Sequence, residues 1–154
     1  MTDDPGPVPD PYRDPDAAAR IGLIVSSFEM LVGKPLVEPG DDVIAALWRA
    51  PQAILAHGTE NDPIFFFANR RALDAFGYDV GTMLRTPSRL SAEAPLRDER
   101  QALLDRVSRH GFIDDYSGVR ITATGERFTI GQAIVWNLID AGGALHGQAA
   151  TFRL

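Results

Sequence analysis

The chain has 154 residues, 45% of them hydrophobic and 23% charged, a formal charge of −6 and no cysteine. At about 150 residues per domain this is one globular unit with enough chain to bury its own core, and its ordinary composition excludes a fibrous or wholly disordered protein. The lack of cysteine excludes disulfides, cysteine-ligated zinc, iron–sulfur clusters, thiol nucleophiles and cysteinyl photoadducts.

No apolar stretch approaches the about 20 residues of a spanning helix, and the N-terminus has no signal-peptide pattern, so a soluble, cytoplasmic protein without membrane contact is expected. Five aspartates against Arg13 give residues 1–16 a net charge of −4 and leave −2 for everything after. The body is nearly balanced. Six arginines within residues 85–109 alternate with Glu93, Asp98, Glu99 and Asp105, which is no basic stripe, so nucleic acid is not an expected partner.

Prolines at 5, 7, 9 and 11 with almost nothing apolar between them predict a disordered acidic tail over residues 1–14. Asp14 followed by Pro15 is a cap and first turn, after which Ile21, Ile24, Val25, Phe28, Leu31 and Val32 recur at helical spacing up to Gly33. Asp41 is expected to cap a second short helix carrying Val43, Ile44, Leu47 and Trp48, stopped by Pro51. Residues 15–50 thus read as a helical extension ahead of a main domain over 51–154.

Within that domain, residues 53–56 and 64–68 read as a β-hairpin around the turn at 57–63. Asn69 caps a helix with Ala72, Leu73 and Phe76 on one face and Gly77 at its end, and Asp79 caps a further turn or two. Pro95 opens a longer helix with the stripe Leu96, Leu103, Leu104 and Val107, closed at Gly111. Residues 112–122, 127–139 and 145–152 complete a three-stranded meander with turns at Gly125 and at Gly142 and Gly143. On strict alternation, Phe128, Ile130, Ile134, Trp136 and Leu138 share one face, interrupted by Gln132.

Two strands, a helical insert and three meandering strands give an α+β fold, a five-stranded antiparallel sheet with helices on one face, preceded by N-terminal helices. That order resembles PAS-type sensor domains, as does the passage from Phe65, Phe66 and Phe67 through Asn69 to Phe76, Gly77 and Tyr78. Four further stretches look like the MEKHLA family. They are 57–63 with His57 and Asp62, 87–93 with Pro87, Ser88 and Arg89, 111–120 with Asp114, Asp115 and Tyr116, and 147–152 with Gly147 and Gln148. The resemblance covers about residues 16–152. It implies a PAS-related domain of the kind that ends plant homeodomain-leucine zipper regulators and also occurs as stand-alone bacterial proteins, the latter being the expected type here. It also implies that the first strand lies centrally beside the last.

The candidate residues carry different chemistries. Asn69 sits where a helix cap is required, and His57, beside Glu60 and Asp62, lacks a second metal ligand at a suitable spacing, so Asn69, His57 and Asp62 are assigned to the structural motif. In PAS-type domains residues 87–93 would border the cavity between helices and sheet. Arg89 is therefore a candidate for gripping an anionic ligand through its forked donors, with pairing to Glu93, Asp114 or Asp115 as the intramolecular alternative. Gln132 and Gln148 are buried amides in need of partners, and Trp136 either fills the core or walls a ligand. With Tyr116 these complete the pocket candidates.

Flavin-binding light-sensing PAS domains place a glutamine on the last strand and asparagines on the preceding ones. Here cysteine is absent, Gln148 directly follows Gly147, and Asn137 lies off the Trp136 face, so no cofactor is assigned. The function expected is a non-catalytic sensory, ligand-binding or protein-interaction module, with an unidentified small organic ligand and a protein partner or homodimer. The alternatives are a small cone-shaped enzyme of the ketosteroid-isomerase kind, with His57, Asp114 or Tyr116 as its base, or a cavity-free interaction domain.

Overall fold

In the computed structural model, which describes residues 5–38, 40–91 and 97–154, the elements run α1 (Pro15–Val32), α2 (Val43–Arg49), β1 (Ala53–His57), β2 (Phe65–Ala68), α3 (Arg70–Phe76), α4 (Val80–Met83), α5 (Arg97–His110), β3 (Phe112–Ile121), β4 (Arg127–Ile139) and β5 (Leu145–Phe152). The strands form one antiparallel sheet in the order β2-β1-β5-β4-β3, so the first strand lies beside the last. This is a PAS-like α+β sheet.

Local chemistry sets the element ends. Asp14 accepts from the Ala17 N–H to start α1, and Asn69 and Asp79 do the same for α3 and α4. Gly77 ends α3 in the left-handed conformation that a side chain would disfavour. The cap of α2 is Asp42 and not Asp41: its carboxylate accepts from the Ala45 N–H and also takes both forks of Arg13 at 3.0 and 2.9 Å. The Arg13 hydrogen bonds, then the Ala45 amide, hold the Asp42 carboxyl down at about 2. Pro95, Leu96 and Glu93 lie outside the described residues.

Helices α3 to α5 cover one face of the sheet, where Phe76 packs edge-on against Phe128 and Phe152. The opposite face belongs to α1. There the Trp136 indole N–H donates to the Ile24 carbonyl at 3.1 Å and its ring meets Phe28 at 4.8 Å, while the Ser27 hydroxyl both donates to and accepts from the Ile139 backbone. A single buried cluster runs from Tyr12 to Phe152. Residues 15–50 therefore share one core with 51–154 and are no separable extension.

The acidic tail also needs correction over its described part. A short 3-10 helix, Asp10–Arg13, inserts Tyr12 into the core at 1% exposure, and the Trp48 indole N–H donates to the Gly6 carbonyl. The Tyr12 hydroxyl donates to the Ala68 carbonyl at 2.8 Å and accepts the Ala68 N–H at 3.1 Å, satisfying the outward-facing groups at the end of edge strand β2. Composition misses this because a single aromatic, burying about 150–250 Å², can anchor a segment that is otherwise polar.

Asn69 is fully buried, and every hydrogen-bonding position of its side chain is filled. Its Oδ1 accepts from the Ile54 and Ala72 N–H groups, both at 3.0 Å, and its Nδ2 donates to the Leu47 and Gln52 carbonyls at 3.0 and 2.9 Å. One side chain thus joins the end of α2, the start of β1 and the first turn of α3.

Replacing Asn69 with alanine leaves two amides and two carbonyls unpaired in the core, for an expected loss of about 3 kcal/mol or more in urea unfolding. Burial pushes the Tyr12 phenol up to about 12. A group held protonated in this way stabilises the fold fully below the unfolded pKa near 10 and loses that contribution as pH rises toward 12, a change of at most about 2.7 kcal/mol. Unfolding titrations between pH 10 and 12 are expected to show this slope, and Tyr12→Phe to flatten it.

Candidate functional site

A cavity of about 60 Å³ lies between the helical layer and the sheet. Its walls are mostly apolar, from residues such as Leu55, Phe76, Leu103 and Val135, with His57, Tyr116, Arg120 and Gln148 as polar contributors. Strand registry explains the grouping. Gln148 on β5 is the partner of His57 on β1 and of Asn137 on β4, which sets three polar side chains side by side across the sheet. Gly147 permits this approach: a Cβ there, at its φ of +148°, would collide with the His57 carbonyl oxygen.

Asn137 and Gln148 are each 7% exposed and hydrogen-bonded to one another, Gln148 Nε2 donating to Asn137 Oδ1 at 3.0 Å. Asn137 Nδ2 donates to the Val107 carbonyl at 3.2 Å, and the Asn137 backbone N–H donates to the Gly111 carbonyl. The end of α5 is thereby tied to the middle of the sheet. His57 Nδ1 is 3.0 Å from the Gly58 carbonyl oxygen, which only accepts, so Nδ1 carries a proton. The Tyr116 ring lies along β3 above Gly118, with the Arg120 guanidinium 5.1 Å from its centroid.

Three of the pocket residues expected from the sequence stand elsewhere. Arg89 is exposed and spends its Nε on both Asp62 oxygens, at 3.1 and 3.2 Å, fastening the β1–β2 turn to the 3-10 helix Ser88–Ser91. Asp114 and Asp115 are exposed, and Asp115 lies 3.6 Å from Arg106. Gln132 is exposed with a φ of +51° and occupies a β-bulge: Tyr116 and Gly118 on β3 face Ala133 and Ile130 on β4, so β4 spends an extra residue. This bulge reverses the alternation. Phe128 and Ile130 stay on the cavity side, whereas Trp136 turns to α1 and fills the core there.

The same reversal brings in a residue the sequence argument set aside. Lying off the Trp136 face puts Asn137 on the cavity face, opposite Gln148. An amide at the registered position across from Gln148 was the available signal, and it becomes readable once the bulge is placed.

A model of the MEKHLA domain matches residues 18–154. The chain belongs to the MEKHLA domain family. Among curated proteins it is similar to the homeobox-leucine zipper protein HOX33 of Oryza sativa subsp. indica, 28% identical over 144 residues, covering 88% of this chain and 16% of that protein. It is also similar to ATHB-9 of Arabidopsis thaliana, 26% identical over 149 residues, covering 89% and 17%. This MEKHLA chain thus spans about a sixth of the length of the plant proteins it matches.

Among solved structures, a PAS domain from Colwellia psychrerythraea superposes with a TM-score of 0.62 at 13% identity, over 71% of this chain and 90% of that one. The light-state dimer of the fungal blue-light photoreceptor Vivid gives 0.58 at 15% identity, over 92% and 95%. These similarities establish the PAS/LOV fold and nothing finer. A flavin does not fit the MEKHLA site: a cavity of about 60 Å³ is far below the about 300 Å³ at which pockets for molecules of that size begin. Among the described residues no group of three or more metal-ligating side chains converges.

Because Gln132 stands in the left-handed region away from the cavity, Gln132→Gly is expected to raise stability by about 0.5 kcal/mol in urea unfolding, the relief of strain exceeding the added chain entropy. A loss of stability would contradict the bulge assignment.

Proposed function

We propose that this MEKHLA domain is a non-catalytic sensory module that holds a small organic molecule between α5 and the sheet and signals through a change in packing to a protein partner or a second copy of itself. The observation carrying the reading is the Asn137–Gln148 pair, which lines or borders the cavity and grips the end of α5 at Val107. A ligand that touches both Gln148 and Leu103 contacts the sheet and the helix together. If it favours one spacing of the two, it shifts the population toward that spacing.

Strand β4 gives the shift a way out. Asn137 bonds to α5 on the cavity side of the sheet and its neighbour Trp136 holds the Ile24 carbonyl of α1, so displacement of β4 acts on the helix across the sheet. The outer side of α1 carries Met30 at 62% exposure, a contact for a second copy.

Two features support the non-catalytic part. No carboxylate lines the cavity among the described residues, and Asp114 points to solvent on edge strand β3. The isomerase alternative requires a buried base, and its other two candidates, His57 and Tyr116, line the cavity but are only half-buried. No helix among the described residues is long and apolar enough to cross a membrane.

Ala150 pairs with both Leu55 and Val135 across the cavity floor, so Ala150→Leu fills the space. Native mass spectra of freshly purified protein are expected to show a discrete extra mass, and hydrogen exchange a slower C-terminal end of α5, both lost in Ala150→Leu. No added mass, together with identical exchange in the two proteins, would contradict the reading.

A further inference from the structure

The polarity of the buried amide pair is set by its far end. The Val107 carbonyl already accepts the Gly111 N–H at 2.8 Å and can only accept, so Asn137 must present its nitrogen to it. That turns Asn137 Oδ1 toward Gln148, which in reply must present Nε2. The orientation of both amides follows from one backbone carbonyl and needs no choice between oxygen and nitrogen at either side chain. Gln148 Oε1 is what remains. It is left at the cavity wall, on a residue 7% exposed, with no hydrogen-bond donor to it among the described residues.

A buried carbonyl oxygen without a donor is costly unless something supplies one. The cavity volume of about 60 Å³ is well below the about 300 Å³ at which pockets for drug-sized ligands begin, so it takes a compact molecule. Apart from His57, Tyr116, Arg120 and Ser91, whose hydroxyl is spent on the Ser88 carbonyl, the remaining walls, including Leu55, Phe76 and Val135, ask for an apolar body. An acceptor at Gln148 also disfavours an anion, although Arg120 borders the same space.

We infer that the cavity selects a compact, uncharged molecule, apolar except for one N–H or O–H group that donates to Gln148 Oε1. This rests on the small-molecule reading of the cavity and deepens it by naming the ligand class. The chain α5 carbonyl, Asn137, Gln148, ligand then runs in one direction, each member donating to the one before it. A donor-bearing ligand completes the line and ties α5 to the bound molecule.

Pyrrole and furan test the inference, because the two rings have nearly the same size and shape and only pyrrole carries a donor. Titrations of the full chain, followed by ¹⁵N and methyl NMR shifts of the Gln148 side-chain amide and of Ala150, are expected to show saturable binding of pyrrole about three- to tenfold tighter than furan, the effect of one net hydrogen bond. Acetate is expected not to compete. Gln148→Met, which keeps the length and removes the acceptor, is expected to bind both rings equally. Equal affinity of the wild-type protein for pyrrole and furan overturns the donor assignment while leaving the cavity reading standing, as does acetate binding in preference to pyrrole. No saturable shift with any of the three shows a site for water alone and overturns both. The wild-type comparison decides the matter even where Gln148→Met does not fold.

Discussion

The position of Asn69 is the constraint from which the rest of this fold takes its geometry. A fully buried amide with four partners cannot move without leaving polar groups dry, and its partners belong to three different elements. It holds the start of β1 against the end of α2 and caps the first turn of α3. Strand β1 then lies against β5, and that pairing sets His57 beside Gln148. Tyr12 performs a related task on the other side of β2, where its hydroxyl satisfies Ala68 at the edge. Between them these two side chains close the β1–β2 end of the sheet with hydrogen bonds that water does not share.

Much of this organisation was legible in the sequence, because helix ends and turns have local chemical requirements. Asn69 and Gly77 bracket α3, and Asp14 with Pro15 begins α1, in the structure as in the sequence reading. Adjacent carboxylates defeat this kind of reasoning: Asp41 and Asp42 are equivalent on local grounds, and only the distant Arg13 distinguishes them. The 3-10 helix around Tyr12 was missed for a similar reason, since its burial depends on Ala68, 56 residues away.

The site was harder to read than the fold, and the cause is one residue. Alternation along β4 holds on either side of Gln132 but changes phase there, because an extra residue enters the strand. Strict alternation beyond that point put Trp136 on the face of Phe128 and Ile130 and Asn137 off it, when the packing against Phe28 and the bond to Val107 have them the other way round; of the two roles open to Trp136, filling the core is the one it takes. Gln148 and Tyr116, the other two pocket candidates, border the cavity. Arg89 failed on a different ground, as a guanidinium in an irregular segment is oriented by the nearest carboxylate, here Asp62 across the hairpin turn.

The resulting domain uses both faces of one thin sheet. The α1 face is packed solid by Trp136, Phe28 and Ile24, and the opposite face leaves a small space beneath α5. The fold is shared with photoreceptors, but an architecture in common does not fix what the interior holds. The proposed function requires that interior to be open to a small guest. Xenon, which enters apolar cavities of modest size, probes this without assuming any ligand chemistry. Under xenon pressure, methyl NMR signals of Leu55, Val135 and Ala150 are predicted to shift saturably while those around Trp136 stay still. Uniform or absent shifts would mean that the space beneath α5 is packed, and the proposed module would have no place for its ligand.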